Sequence, residues 1–293
     1  MAGNGGGEMA RADNVNAALF GCNSYAYMLS LGAEDCLAKM ADLGFQEFEL
    51  MVHPGHLWPA ELSADRRRTI RRMLEQHGLQ LTTLNLPNID INIASTTPEM
   101  RAYSLDLLTE TVRLAGELGA RGVVMSPGKP SALLPAEREV LTGYFFAALD
   151  RLGPIAKASG TALWIENVTV SFLPRIGGIM EALASYGNQE IRVVYDIANA
   201  YFVDEDFVEG LKTCRERLAL VHLSDTTRQV YRHGPVGTGD LPFANVPPAL
   251  AAVDYRARPM LEIISRDPDR DIVASADRLV ALGFAPAAQR KVG

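Results

Sequence analysis

Four short apolar runs in the second half of the chain each close on one side chain able to bind a metal. They are Ala162-Leu163-Trp164-Ile165-Glu166, Val193-Val194-Tyr195-Asp196, Leu218-Ala219-Leu220-Val221-His222 and Met260-Leu261-Glu262. Parallel strands buried on both faces read as such unbroken runs, because no face is left for alternating polar residues. Glu166, Asp196, His222 and Glu262 follow one another at steps of 30, 26 and 40 residues. One strand, a crossover helix and the next strand need about that much chain. The four therefore fall on successive strand–helix units, each at or near the end of its strand.

The first half repeats the same unit. Apolar runs at 18–22, 47–52, 80–84 and 122–125 predict strands, and helical spacing predicts helices over 33–43, 63–78, 98–118 and 135–159. Ser63 is placed as an N-cap, Pro98 in a first turn, and Gly44, Gly78, Gly119 and Gly160 as stops. Later helices are expected near 176–186, 204–217, 242–253 and 271–282. Eight strand–helix units without a linker-like break, in roughly 270 residues, predict a single (β/α)8 TIM barrel with its site at the C-terminal face of the strands. A doubly wound sheet would carry a glycine-rich turn after strand one, and Gly21-Cys22-Asn23-Ser24 is not one. The barrel is expected over 16–284, with tails at 1–15 and 285–293.

Bulk properties narrow the class. The chain has 293 residues, 48% hydrophobic and 22% charged, enough for a large core. A net charge of −7 argues against a general nucleic-acid surface, which needs excess Lys and Arg. Three scattered cysteines, Cys22, Cys36 and Cys214, suit a reducing compartment. No signal-like start and no apolar run approaching a membrane span appear. A cytoplasmic protein with no membrane or nucleic-acid partner is expected.

Three carboxylates and one imidazole form an oxygen-rich, hard-to-borderline ligand set. It favours Mn²⁺ or Mg²⁺, leaves Co²⁺, Fe²⁺ and Zn²⁺ open, and disfavours thiolate chemistry. Substrate contacts are expected from strands one to four and their exits: Asn23, Tyr25, His53, His56, Trp58, Asn85 and Ser126. His233, on the loop after the His222 strand, is a further candidate, and Asn167 and Asp225 are expected to support the ligands. Two tempting motifs fail. Gly122 to Pro130 lacks the phosphate-loop spacing and hydroxyl. Gly234, Gly237 and Gly239 have no basic cluster beside them and read as a tight loop that brings backbone near the site. The helix-four stripe Leu141, Phe145, Leu149 and Leu152 reads as core packing or as the contact of a homo-oligomer.

In Trp164-Ile165-Glu166-Asn167, Tyr195-Asp196-Ile197-Ala198-Asn199, Val221-His222-Leu223-Ser224-Asp225, Gly237-Thr238-Gly239-Asp240 and Leu261-Glu262-Ile263 the chain resembles the xylose-isomerase-like sugar isomerase/epimerase superfamily. That group includes ketose 3-epimerases, hydroxypyruvate isomerases, inosose dehydratases and, more distantly, endonuclease IV. The resemblance spans about 17–283. It implies one divalent ion, usually manganese, held by Glu166, Asp196, His222 and Glu262, with the two glutamates doubling as acid and base. It implies that Arg228 touches substrate. Asn199 stands where the epimerases often carry a histidine. The endonuclease pattern fits worse: strand four ends in Ser126, and the strand-seven loop reads Tyr231-Arg232-His233 where that branch has Asp-x-His.

Such a site removes the proton beside a carbonyl through a metal-stabilised enediolate. Return to the same carbon epimerises, return to the next isomerises, and loss of a β-leaving group makes a lyase or dehydratase of a keto-sugar, inosose or 3-keto-glycoside. The rivals are an endonuclease IV-like nuclease and a noncatalytic sugar-binding barrel.

Overall fold

The computed structural model describes residues 15–87 and 90–285. The two expected tails, and Asn88 on the exit of strand three, lie outside the described residues apart from Val15 and Ala285. Eight strands, β1 (Gly21–Asn23), β2 (Glu47–Met51), β3 (Gln80–Asn85), β4 (Gly122–Met125), β5 (Ala162–Glu166), β6 (Arg192–Asp196), β7 (Leu218–Leu223) and β8 (Met260–Leu261), pair in parallel with their sequence neighbours. The ring closes where Gly21 and Cys22 pair with Met260 and Leu261. The connecting helices are α1 (Ala33–Asp42), α2 (Ala64–His77), α3 (Pro98–Leu118), α4 (Arg138–Ser159), α5 (Ile176–Tyr186), α6 (Ile197–Phe202), α7 (Phe207–Cys214), α8 (Val246–Ala252) and α9 (Pro268–Ala281). This is the TIM barrel that the eight units imply.

Helix ends follow local chemistry. Ser63 caps α2 by accepting from the Arg66 amide, and Gly78, Gly119 and Gly160 end helices in the left-handed conformation that glycine takes without strain. The α4 stripe Leu141, Phe145, Leu149 and Leu152 is buried within the chain. It is core packing, and no free subunit contact remains there. No helix among the described residues is long and apolar enough to cross a membrane.

Several boundaries differ from expectation. Residues 17–19 form a 3-10 turn, so β1 begins at Gly21 and not at Ala18. The apolar content there packs the barrel's closed end, with Phe20 against the Phe284 ring at 5.4 Å between centroids. The helix expected over 204–217 is shorter, Phe207–Cys214, and an unexpected helix precedes it. Asp196 caps a separate helix, α6, directly after its own strand, and α7 starts only at Phe207, capped by Asp206. The region 242–253 opens with a 3-10 turn, since Pro247 and Pro248 remove donors that a longer α-helix would need. Helix α4 starts at Arg138, three residues late, and α9 at Pro268, three residues early.

Inside the ring lies a plug of Val124, Trp164, Val194, Leu220 and Met260, separate from the outer core between strands and helices. A strand alternates its side chains between faces, so the residue two positions on faces the same interior. Trp164 is followed by Glu166, Val194 by Asp196, Leu220 by His222 and Met260 by Glu262. The plug thus sets the depth of the four ligands, one layer above it and towards the C-terminal mouth. Glycines make room for its largest members: a Cβ at Gly122 would meet the Trp164 ring at 2.5 Å, and one at Gly21 the Met260 methyl at 2.6 Å.

Two substitutions test this packing. Gly122→Ala overpacks the plug and should cost about 1–3 kcal/mol. Gly143→Ala, in α4 with nothing within 4 Å of the new methyl, should gain about 0.5–1 kcal/mol from helix propensity. Urea denaturation of both variants measures the two signs.

Candidate metal and acid–base site

Glu166 and Asp196 end their strands, His222 is the last residue but one of β7, and Glu262 stands just past β8. Ligand atoms from all four lie within 4.8 Å of one another, and all four residues are buried. Nδ1 of His222 is 3.1 Å from Glu166 Oε1, 3.3 Å from Glu262 Oε2 and 4.0 Å from Asp196 Oδ2. Neighbouring strands align the set, with Asp196 paired to His222 across β6 and β7. The four expected ligands are therefore brought together.

The surroundings hold each ligand in place. The Asn167 side chain donates to the Asp196 carbonyl at 3.0 Å and accepts from the Asp196 amide at 2.7 Å, fixing that backbone as a neighbouring strand would. Asp196 Oδ1 accepts from the Asn199 amide at 2.6 Å. Its Oδ2 is buried with no hydrogen-bond partner among the described residues and turns towards the cluster. An orphaned carboxylate oxygen in the interior is costly unless a cation or donor completes it. That oxygen, together with the oxygen-rich donor set, fits a divalent ion.

Two further side chains belong to the site. His233, with Ser224 Oγ at 3.0 Å, puts Nδ1 3.2 Å from Glu262 Oε2 and 3.7 Å from Asp196 Oδ2. Its Nε2 meets the Tyr231 hydroxyl at 2.9 Å, and that hydroxyl donates to Asn199 Oδ1 at 2.7 Å. Asp225 builds the loop that delivers them: its Oδ2 accepts from the Gly237 and Gly239 amides at 2.7 and 2.9 Å. Asp225 thus shapes the loop and touches none of the four ligand side chains. The tight-loop reading of these glycines holds, since a Cβ at Gly239 would strike the Thr226 carbonyl.

A cavity of about 510 Å³ opens above the cluster. Glu166 and Glu262 line it, with Tyr25, Asn85, Ser126, Asn199 and His233, while Met51, Leu86, Met125, Val168 and Ile264 form an apolar wall. Asp196 and His222 sit behind the two glutamates, outside that lining. Five expected substrate contacts, Asn23, His53, His56, Trp58 and Arg228, lie outside that lining, and Asn23 donates instead to Glu49. Arg228 pairs with Asp204 and lies over the Tyr201 ring at 4.3 Å. The His53 ring faces the Pro54 carbonyl, and Trp58 packs half-buried against the outer core. His56 is structural, bridging Ser24 and the Leu31 carbonyl. Sequence reading overlooked Tyr231 and Glu49, a buried carboxylate on β2 whose Oε1 lies 3.3 Å from His222 Nε2. The available signal for Glu49 was its parity: Phe48 and Leu50 face the helices, so Glu49 faces the interior.

Protonation follows from crowding. Burial raises Glu166 above the usual carboxylate range, and burial with the Glu262 and Glu166 charges raises Asp196 to about 7 against the pull of His233. Burial alone would lower both histidines, but the carboxylates outweigh it, carrying His222 up and His233 to about 9. Glu262 is held below the ordinary range, because His222 and His233 overcome its own burial.

Comparison with known proteins agrees with this geometry. A profile described as "Xylose isomerase-like TIM barrel" matches residues 37–282. An L-ribulose 3-epimerase of Mesorhizobium japonicum is 26% identical over 228 residues, which cover 76% of this chain and 72% of that one. The fold is shared with the 3-keto-D-glucoside 4-epimerase of E. coli (TM-score 0.74, 18% identity, covering 89% of this chain and 98% of that one). It is shared also with the IOLI protein with a binding zinc atom (TM-score 0.74, 15% identity, covering 89% and 96%).

The raised groups fix a pH trend for the protein without a bound ion. Asp196 binds its proton more tightly folded than unfolded, so its contribution is whole below about pH 3.8 and lost as pH rises through about 7. His233 behaves likewise, whole below 6.5 and lost through about 9. Glu262 works the other way and is fully in place above 4.5. In EDTA the melting temperature should fall as pH rises from about 5 to 9, first through Asp196 and then, above 6.5, through His233. A divalent ion competes with these protons, so its stabilising shift should grow over the same range. Thermal melts with and without Mn²⁺ check both.

Proposed function

The chain belongs to the xylose isomerase-like TIM barrel family, and on that premise we propose that it is an enzyme, a divalent-metal-dependent isomerase or epimerase of a carbonyl sugar or polyol-derived carbonyl compound. The observation that carries this reading is that Glu166 and Glu262 both belong to the ligand cluster and both face the cavity. Glu166, Asp196, His222 and Glu262 would hold the ion, with Mn²⁺ favoured by the donor set and Zn²⁺ supported by the IOLI protein's zinc. A divalent ion there supplies Lewis acidity, polarising a carbonyl oxygen so that the proton on the adjacent carbon is more easily removed.

The chain's own groups divide the remaining work. β5 and β8 are three steps apart around the ring, so Glu166 and Glu262 approach a substrate between them from different sides. One takes the proton from carbon and the other returns it. His233 orients Glu262 through the 3.2 Å contact and is itself held by Tyr231. Asn85, Asn199 and Tyr25 offer hydroxyl-directed polar groups, and the apolar wall suits the carbon face of a sugar. Among the described residues that line the cavity, no free basic group or amide pair is placed to grip a phosphate. Arg232 lines the cavity but donates to the Thr238 carbonyl, Arg228 is paired with Asp204, and the Gly237 and Gly239 amides serve Asp225. An unphosphorylated sugar is the better fit. Where it carries a leaving group β to the carbonyl, the same proton removal ends in elimination.

A panel of ketoses, inososes and 3-keto-glycosides incubated in deuterated water tests the reading. The expected result is deuterium at the carbon beside the carbonyl for at least one member. Glu262→Gln should lower that rate by about 10²–10⁴-fold, and full activity in the variant would remove Glu262 from the mechanism.

A further inference from the structure

A fifth carboxylate lies beneath the cluster, and neither metal binding nor proton transfer has so far used it. Glu49 is on β2 and wholly buried. Its Oε1 accepts from Asn23 Nδ2 and, at 3.1 Å, from Asn85 Nδ2. Its Oε2 accepts from Thr83 Oγ1 at 2.5 Å. Three donors on β1 and β3 therefore lock one side chain between them, and the strand register that pairs Asn23 and Thr83 with Glu49 puts them there.

The locked oxygen faces His222 from the side opposite the ligand cluster. Nδ1 of His222 looks at Glu166, Glu262 and Asp196, while Nε2 is 3.3 Å from Glu49 Oε1. That contact is off the line of a hydrogen bond, and Nε2 is a buried nitrogen with no hydrogen-bond partner among the described residues. A neutral imidazole carries one ring proton. When Nδ1 gives its lone pair to a cation, the proton must sit on Nε2 and needs an acceptor there. Glu49 Oε1 is the acceptor that stands in reach. The same carboxylate also reaches a second ligand, since Asn23 Nδ2, which donates to it, lies 3.3 Å from Glu262 Oε1.

We infer that Glu49 is a positioning residue of the metal site: it holds His222 in the tautomer that offers Nδ1 to the ion and, through Asn23, steers Glu262. It touches neither ion nor substrate. A carboxylate backing a ligating histidine is a recognised way to set ring orientation and ligand strength. Here it explains why a carboxylate with no lysine or arginine partner among the described residues occupies the barrel interior. The assignment rests on reading the four cluster residues as ligands.

Zinc titration by calorimetry, with the folded state of each protein checked by circular dichroism, tests it. Glu49→Gln keeps the size of the side chain but should weaken Zn²⁺ binding by about 10- to 100-fold. Nitrogen-15 NMR of histidine-labelled, Zn²⁺-loaded wild type supplies a readout that a merely structural role would not move. His222 should show a proton on Nε2, shifted downfield and slow to exchange with water, and the exchange should accelerate in Glu49→Gln. If the variant does not fold, the wild-type spectrum decides, and a proton on Nδ1 overturns the assignment. Zn²⁺ affinities within twofold of each other overturn it as well, while leaving the metal site standing. A wild type that takes up no Zn²⁺ overturns both.

Discussion

Three carboxylates crowd around one imidazole nitrogen in the interior of a closed barrel, and that crowding governs the rest of the site. Like charges at such separations repel, and burial removes the water that would screen them. Without a cation the cluster compensates by holding protons, which is why Asp196 and both histidines titrate above their ordinary values. A divalent ion bound there would replace those protons with one central charge and complete the orphaned oxygen of Asp196. Left to itself the crowded cluster costs stability, and perturbed titratable groups of this kind mark candidate functional sites.

The barrel keeps the charges where repulsion would scatter them. Each ligand stands two residues beyond a member of the Val124, Trp164, Val194, Leu220 and Met260 plug, so interior packing sets its depth. Backbone devices then fix direction. Asn167 copies a strand's hydrogen bonds onto Asp196, and Asp196 uses its other oxygen to start α6. Asp225 folds the following loop around itself and presents Tyr231 and His233 to the cavity. Rigid elements therefore carry the four clustered side chains, and one pinned loop carries Tyr231 and His233.

Much of this was legible in the sequence, for a physical reason. Parallel strands buried on both faces have no excuse for a charged residue, so Glu166, Asp196, His222 and Glu262 stood out at the ends of apolar runs. Pro98 and the glycines at 78, 119 and 160 marked helix ends because their backbone preferences are local. The misses depended on distant partners. Ala18 and Leu19 are as apolar as a strand, yet they form a 3-10 turn, and the next residue, Phe20, packs against Phe284 from the far end of the chain. Arg228 lies at the spacing where the family resemblance placed a substrate contact, yet Asp204 and Tyr201 draw it outwards. Glu49 sits inside a strand and not at its end, so the strand-end pattern that marks the other carboxylates does not mark it.

The central claim is that four side chains share one cation at the mouth of the barrel. Anomalous diffraction from Mn²⁺-soaked crystals, recorded near the manganese edge, tests it most directly. The account predicts a single strong peak about 2.0–2.3 Å from a carboxylate oxygen of Glu166, Asp196 and Glu262 and from Nδ1 of His222. A map with no peak among these four, or with the ion bound to His222 through Nε2 and away from Asp196, would contradict it.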